Sequence, residues 1–390
     1  MPPRRLLVLL CVMTGAYTFS VGTFPALLPE IAVALRLPDW QLGLLGGTFG
    51  FARMLSDIPG GLLTTHHVRR ALIAAPVFMF TGAALVIVGG EMAWLALGRV
   101  LMGVGHTLGM LGALTAILRH EPRGTTASAL NAFEFSAMLA VLGGVTLVGL
   151  LPQRLPWHLV FLLGCVPMLV GLSLLRSVLA RLPPTDPRQP WFARATAEPA
   201  AGGGRDDFPR VALAFAAGGT VAVTYATVES FLIPIRGSRE FGLERAGIAR
   251  LLMVAQISDL LTLLPLGGLA DRRGTARVLA GVLLAFAVAI ALIGFGALPH
   301  VVVGCVAFGL GMAGWMLPVG LLRSATSASR VAWRVALYRV CVDGGMFLGP
   351  FVSGLIAARA PRLWPGLLAG ALMLLAIAMA ARGVPRTTRV

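Results

Sequence analysis

Twelve long apolar runs, joined by short links where the arginines gather, leave this chain few ways to fold. A backbone carried into hydrocarbon must satisfy its own N–H and C=O groups, so a run of about 20 apolar residues forms a bilayer-crossing helix. On that rule the spans fall near residues 6–34, 41–64, 71–90, 93–118, 125–151, 157–179, 210–235, 246–270, 278–297, 301–323, 334–358 and 364–382. The fold class expected is therefore an all-α membrane protein embedded in the lipid bilayer. Hydrophobic residues make up 57% of the chain and charged residues 12%, a balance outside the range of soluble domains.

The net charge of +16 would suggest nucleic acid in a soluble protein. Here the arginines stand at the ends of apolar runs, where headgroups and orientation account for them, and no nucleic-acid partner is expected. Arg4, Arg5, Arg69, Arg70, Arg119, Arg123, Arg272, Arg273, Arg277, Arg323, Arg330 and Arg334 would share one side. Arg36, Arg154, Arg236, Arg239, Arg245, Arg359 and Arg362 would share the other. This asymmetry predicts that both termini are cytoplasmic. The chain has no Lys and is rich in Ala, Gly and Pro, a composition associated with GC-rich bacteria, so the inner membrane is the expected location. Arg4-Arg5 before an apolar run resembles a signal peptide, but the run continues to Leu28 and beyond, which favours a retained first helix.

Between 180 and 209 the composition shifts to Pro183-Pro184, Pro187, Pro190 and Gly202-Gly203-Gly204, which reads as a cytoplasmic linker. It separates a unit over 1–179 from a second over 210–382, followed by a tail over 383–390. The two units carry an internal repeat. Gly267-Gly268-Leu269-Ala270-Asp271-Arg272-Arg273-Gly274 has a worn counterpart 206 residues earlier, where Thr65 stands for Asp271 and Val68 for Gly274. At the same offset Pro59 matches Pro265, Gly103 and Gly105 match Gly309 and Gly311, and Gly143 matches Gly349. Such duplication in a chain of membrane spans is typical of secondary transporters.

The core of the intact stretch, with Gly267, Asp271, Arg272 and Gly274, resembles the Gly-x-Leu-Ala-Asp-Arg-x-Gly loop of the major facilitator superfamily. That resemblance covers the whole chain except the linker. It implies two six-helix bundles related by a pseudo-twofold axis, with spans 2 and 11 facing each other across the halves, as do spans 5 and 8. It implies a monomeric secondary transporter that takes a small-molecule substrate by alternating access, here coupled to protons. Arg99-x-x-x-Gly103-x-Gly105 resembles the family's fourth-helix motif, whose arginine is linked to proton coupling in several members. The family's antiporter motif places Gly-Pro in the fifth helix, whereas this chain has Gly143-Gly144 there and Gly349-Pro350 in span 11.

An ionisable side chain inside a span costs several kcal/mol unless it is partnered, so each marks a candidate site. Glu30 and Arg99 lie at comparable depth and are candidates to pair; the alternative is an arginine bonded to helix carbonyls. Arg53 and Asp57 share a face of span 2, as Arg339 and Asp343 do of span 11. The two spans run in opposite directions, so Arg53 meets Asp343 and Asp57 meets Arg339 as gating ion pairs, locked when formed and broken for inward opening. The other reading pairs each helix with itself. Glu134 and Asp259 are expected to approach with no basic residue near on either span, a proton carrier or else a pair satisfied by neighbours. Glu229, Tyr17, Phe24, Tyr225, Phe135 and His106 are the candidates for the substrate cavity, with packing as the alternative for the aromatics. With its first motif copy lacking the acid, the chain would rely on the span 2 and span 11 charges as its latch. Asp271 would pair with Arg277 or Arg323.

Cys11, Cys165, Cys305 and Cys341 show no paired spacing, so neither a disulfide framework nor a metal site is expected. Gly309-x-Gly311-x-x-Gly314 sits inside an apolar run with no preceding strand and reads as helix packing. His120-Glu121 lacks a second His and no GxSxG elbow occurs, so no enzyme and no cofactor is expected. The function expected is proton-coupled export of small organic or amphipathic compounds. The alternatives are proton-coupled import of a metabolite or organic anion, and a transporter-like sensor or assembly partner.

Overall fold

The computed structural model describes residues 4–120, 126–182, 207–327 and 330–382. Most of the expected linker and all of the expected tail lie outside these residues. The described chain is helical, with no strand among the described residues: α1 (Arg4–Leu35), α2 (Asp39–Val88), α3 (Met92–His120), α4 (Thr126–Leu150), α5 (Trp157–Cys165), α6 (Pro167–Leu179) and α7 (Phe208–Thr227) come first. After a π-helical turn over Val228–Leu232 follow α8 (Ile233–Arg239), α9 (Arg245–Arg273), α10 (Thr275–Phe295), α11 (Leu298–Met312), α12 (Leu317–Ser324), α13 (Val331–Ala357) and α14 (Leu363–Arg382). Eleven continuous helical stretches are long and apolar enough to cross a membrane. The second, α2, covers two expected spans in 50 residues and has non-helical backbone only at His67 (φ −131, ψ 49). Each part, 39–66 and 68–88, is long enough to cross by itself. The faces of the molecule are named below after the link between α6 and α7: the linker face, and the distal face opposite.

The two copies of the repeated motif turn in different ways. In the second, helix continues through Arg273 and the turn is the single residue Gly274, held at φ 88 and ψ 134, before α10 starts at Thr275. That conformation is open to glycine and closed to residues with a Cβ. In the first copy Val68 occupies the glycine position, so the break falls one residue earlier, at His67, and stays within negative φ. The motif is therefore almost wholly helical, where a loop was expected.

Three prolines interrupt three other spans by one mechanism, the loss of the N–H that an α-helix needs four residues after each carbonyl. Pro167 gives nothing to Leu163, whose carbonyl takes Val166 N–H at 3.2 Å, and α5 parts from α6. Pro318 does the same to Gly314, which accepts Leu317 N–H at 3.0 Å between α11 and α12. Pro234 leaves Ser230 without its donor, and the helix widens locally so that Ile233 N–H reaches the carbonyl of Val228.

Lipid tails are as apolar as leucine, so close contact rather than hydrophobic burial holds these helices together. Glycines provide that contact. Along the seam between α2 and α13, a Cβ on Gly43, Gly46, Gly47 or Gly50 would strike Gly354, Pro350, Phe347 or Met346. The second seam between the halves joins α4 to α9, where a Cβ on Gly149 would stand 3.0 Å from that of Ala249. Within the first half, Gly22 and Gly144 close α1 onto α4. Gly309, Gly311 and Gly314 press α11 and its following turn against α9 and α10, so the GxGxxG pattern is a packing surface. Towards the linker face, Gly61, Gly267 and Gly268 have no neighbour that a Cβ would meet. The halves thus engage along the distal part of both seams.

Candidate functional site

The inner limit of the α2–α13 contact carries two ion pairs. Arg53 Nε lies 3.0 Å from Asp343 Oδ1, and Arg339 Nη2 lies 3.3 Å from Asp57 Oδ1. The pairing runs between the halves, not along each helix, because α2 descends while α13 ascends and the glycine notches bring their axes together. Asp57 and Asp343 are buried, while Arg53 and Arg339 keep about a fifth and a third of their side chains exposed. These pairs coexist with a tightly packed distal half.

At the other seam three acids converge. Asp259 on α9 feels the carboxyls of Glu134 on α4 and Glu229 in the π-helical turn. Both Asp259 and Glu229 are buried. Gln256 Nε2 donates to Glu229 Oε1 at 3.4 Å, and Tyr225 stands beside Glu229 one helical turn earlier. The cations that act on Glu134 belong to neither α4 nor α9: they are Arg53 and Arg339 of the neighbouring seam. The two seams border one central region, so their charges form one field.

Glu30 does not meet Arg99. Its carboxylate takes Gln153 Nε2 at 2.9 Å and Arg245 Nη1 at 3.3 Å, at the distal face. Arg99 instead lies deeper, with its Cζ 3.8 Å from the Phe24 ring centroid and 5.1 Å from that of Phe49. Its depth along α3 matches the α1–α2 aromatics, whereas Glu30 is one turn from the end of α1. The arginine that reaches Glu30 comes from the other half.

The proposed aromatic wall is also rearranged. Tyr17 packs on Gly171 of α6, and Phe24 meets Phe161 of α5 edge-on at 6.2 Å, both inside the first bundle. Phe135 is exposed. Tyr225 keeps different company: it stacks on Phe308 at 6.0 Å and meets Trp315 edge-on at 5.3 Å. His106 is buried, with Nε2 3.3 Å from Thr18 Oγ1 and its ring 5.3 Å from that of Phe49.

Asp271 is exposed and forms no ion pair with Arg277 or Arg323 among the described residues, because the helix continues past it and carries its side chain outward. In the first copy, the backbone carbonyl of Thr65 accepts from Arg119, and the carbonyl of Leu182 accepts from Arg69 at 3.1 Å. Backbone acceptors do there what an acid would.

The distal face holds features that the sequence did not reveal. Arg245, fully buried, donates to the carbonyls of Pro152 (2.7 Å) and Leu155 (3.1 Å) as well as to Glu30. Arg239 pairs with Asp39 at 2.7 Å, a second bond between the halves. Arg236 binds the carbonyls of Ile293 and Gly296 and Glu240 Oε2, and its guanidinium holds the Glu240 carboxyl below the usual range. In the sequence these arginines look like ordinary span-end charges. Gln256 carried a readable signal, standing three residues before Asp259 on one helical face. Trp315 and Phe308 are likewise seven residues apart, but within an apolar run that spacing resembles packing.

Comparison with known proteins follows the same lines. A probable sugar efflux transporter of Pasteurella multocida (strain Pm70) is 29% identical over 174 residues, 43% of either chain. One of Helicobacter pylori (strain HPAG1) is 28% identical over 178 residues, 43% of this chain and 44% of the other. The match thus spans less than half the length of these curated relatives. Among solved structures, a POT family transporter superposes with a TM-score of 0.81 at 14% identity, over 97% of this chain and 96% of the other. The nucleoside transporter NupG gives 0.72 at 15% identity, over 96% and 98%. These likenesses show the fold. The family model of the Major Facilitator Superfamily matches residues 9–235 and 210–390. With two glycine-seamed bundles, a repeated motif and that match, this multi-pass membrane chain belongs to the major facilitator superfamily of transporters.

Proposed function

We propose that the chain is a proton-coupled exporter of small organic compounds, in which two bundles, near 1–179 and 210–382, rock about a central site. The observation that carries this reading is the placing of Glu134 on α4 and Asp259 on α9, the two helices of one seam between the halves, with Glu229 bonded at 3.4 Å to Gln256, three residues before Asp259. Carboxylates crowded in low dielectric do not all ionise together, so one of them takes and releases a proton as the surroundings change. The charge field of Arg53 and Arg339 rides on α2 and α13, so a change in the seam between them alters that proton's hold. The Arg53–Asp343 and Asp57–Arg339 pairs are the elements whose making and breaking would accompany the rocking.

The names of the two relatives speak for export, and the wall of Tyr225, Phe308 and Trp315 suits a compound with an apolar part. In this reading the linker face and both termini are cytoplasmic, which the arginine asymmetry supports, and the membrane is a bacterial inner membrane. The protein is taken to act as a monomer. Import of an organic anion has one observation in its favour, the unpartnered Arg99 Nε and Nη1, but the Phe24 ring already covers that guanidinium.

The test is solute flux in proteoliposomes under an imposed pH gradient, with wild type and Glu134→Gln side by side. Wild-type flux driven by the gradient, and lost in Glu134→Gln while counterflow exchange survives, supports the reading. Flux indifferent to the gradient, or fully coupled in the variant, removes the proton from this site.

A further inference from the structure

Two acceptor oxygens in the central region, Gln256 Oε1 and Asp259 Oδ1, are buried and form no hydrogen bond among the described residues. Glu229 Oε2 beside them has no donor at hydrogen-bonding distance and angle, although the Tyr225 hydroxyl interacts with the same carboxyl. Glu229, Gln256 and Asp259 are 4%, 1% and 2% exposed. With the Gln256 NH₂ donating to Glu229 Oε1, its carbonyl oxygen points away from that bond. In the neighbouring seam, Arg53 Nε is held by Asp343 at 3.0 Å. A buried acceptor without a donor is destabilising, and a buried charge without a counter-charge more so.

Two features of the fold create the cluster. The π-helical turn at Val228–Leu232, set by Pro234, displaces Glu229 from a regular α-helical register. Wide turns of this kind are frequent at functional sites. On α9, Gln256 and Asp259 stand three residues apart and share a face. Tyr225 stands beside Glu229 and meets Trp315 edge-on, so aromatic surface, which attracts cations through the ring quadrupole, adjoins the cluster.

We propose that Glu229, Gln256 and Asp259, walled by Tyr225 and Trp315, form the substrate subsite and receive the N–H donors of a protonated amine. The transported compound is then an organic ammonium bearing an apolar group. A polyol would supply donors to the same oxygens, but it would leave the carboxylate charge uncompensated and would gain nothing from the aromatic faces. The proposal rests on the transporter reading above, yet it is independent of whether the gradient drives transport, because binding is measured without one.

Full-length protein in detergent would be titrated calorimetrically with 2-phenylethylammonium, with 2-phenylethanol and with a hexose. Saturable binding of the ammonium at least tenfold tighter than of the alcohol, and weakened at least tenfold in both Glu229→Gln and Asp259→Asn, is the expected result. Size-exclusion profiles and thermal midpoints identify any variant that fails to fold; for such a variant, competition of the ammonium against carbodiimide labelling of wild-type Glu229 and Asp259 gives the same readout. Hexose binding in preference to the ammonium overturns the amine assignment. Saturable binding of none of the three, or ammonium binding that both variants and the labelling leave unchanged, overturns the subsite. Ammonium binding with pH-indifferent flux retains the subsite and refutes only the proton coupling.

Discussion

Arg245 and Glu30 meet across the two bundles at the distal face, Nη1 to Oε2 at 3.3 Å, with the arginine side chain fully buried. The same guanidinium takes two carbonyls of the turn between α4 and α5, so one residue of the second half satisfies three acceptors of the first. Planar, always charged and rich in donors, arginine is suited to such a clamp in a way lysine is not.

Removing the clamp should free the distal face. Arg245→Ala takes a donor from the Leu155 carbonyl and from one Glu30 oxygen, while the Pro152 carbonyl keeps the Leu155 N–H at 3.0 Å, a cost of about 1–3 kcal/mol borne only by the closed arrangement. A bias of that size is roughly 5–150-fold in population. Spin labels at the exposed positions Arg154 and His300 should then report a new, longer distance in the variant. An unchanged distance distribution would mean that the clamp is dispensable.

The ion pairs of α2 and α13 yield to a charge swap. Arg53→Asp alone places three acids together, and Asp343→Arg alone places three arginines together, so each should lower transport by tenfold or more. The double exchange restores the 3.0 Å pairing in reverse and should recover much of the loss. If the double variant is no better than the worse single one, the pair does not act as a unit.

Glycine substitutions should divide by seam. Gly43→Ala drives a methyl into backbone atoms of Pro350 and Gly354, which cannot swing aside as a side chain could, and should lower both the thermal midpoint and transport. Gly281→Ala in α10 meets nothing and should raise helix stability by about 0.5–1 kcal/mol. Thermal unfolding in detergent compares the two, and similar midpoints would show that the α2–α13 contact is looser than its geometry.

Gly274 carries the turn of the intact motif at φ 88, so Gly274→Ala should cost about 1–3 kcal/mol. Val68, at the matching place in the first copy, is buried core on negative-φ backbone, so Val68→Ala loses packing and relieves no strain. A Gly274→Ala midpoint equal to that of the wild type would contradict the positive-φ turn at Gly274.

The apolar spans, the repeat, and the four charges on α2 and α13 with their two possible pairings were legible in the sequence. Each of these depends on local rules: span length follows from bilayer thickness, and residues four apart share a helical face. Which way each helix faces was decided only by the tertiary structure. A soluble helix announces its inner side by a polar outer one, whereas a helix in lipid is apolar all round, so its rotation leaves no pattern to read. That is why Arg99 turned to Phe24 and Phe49 rather than to Glu30, why Tyr17 and Phe24 went into the first bundle while Tyr225 joined Phe308 and Trp315, and why Arg245 became the clamp between the halves. Glycine-to-backbone contact sets those rotations, and it depends on which two helices meet, a relation between distant residues that no spacing along one run contains.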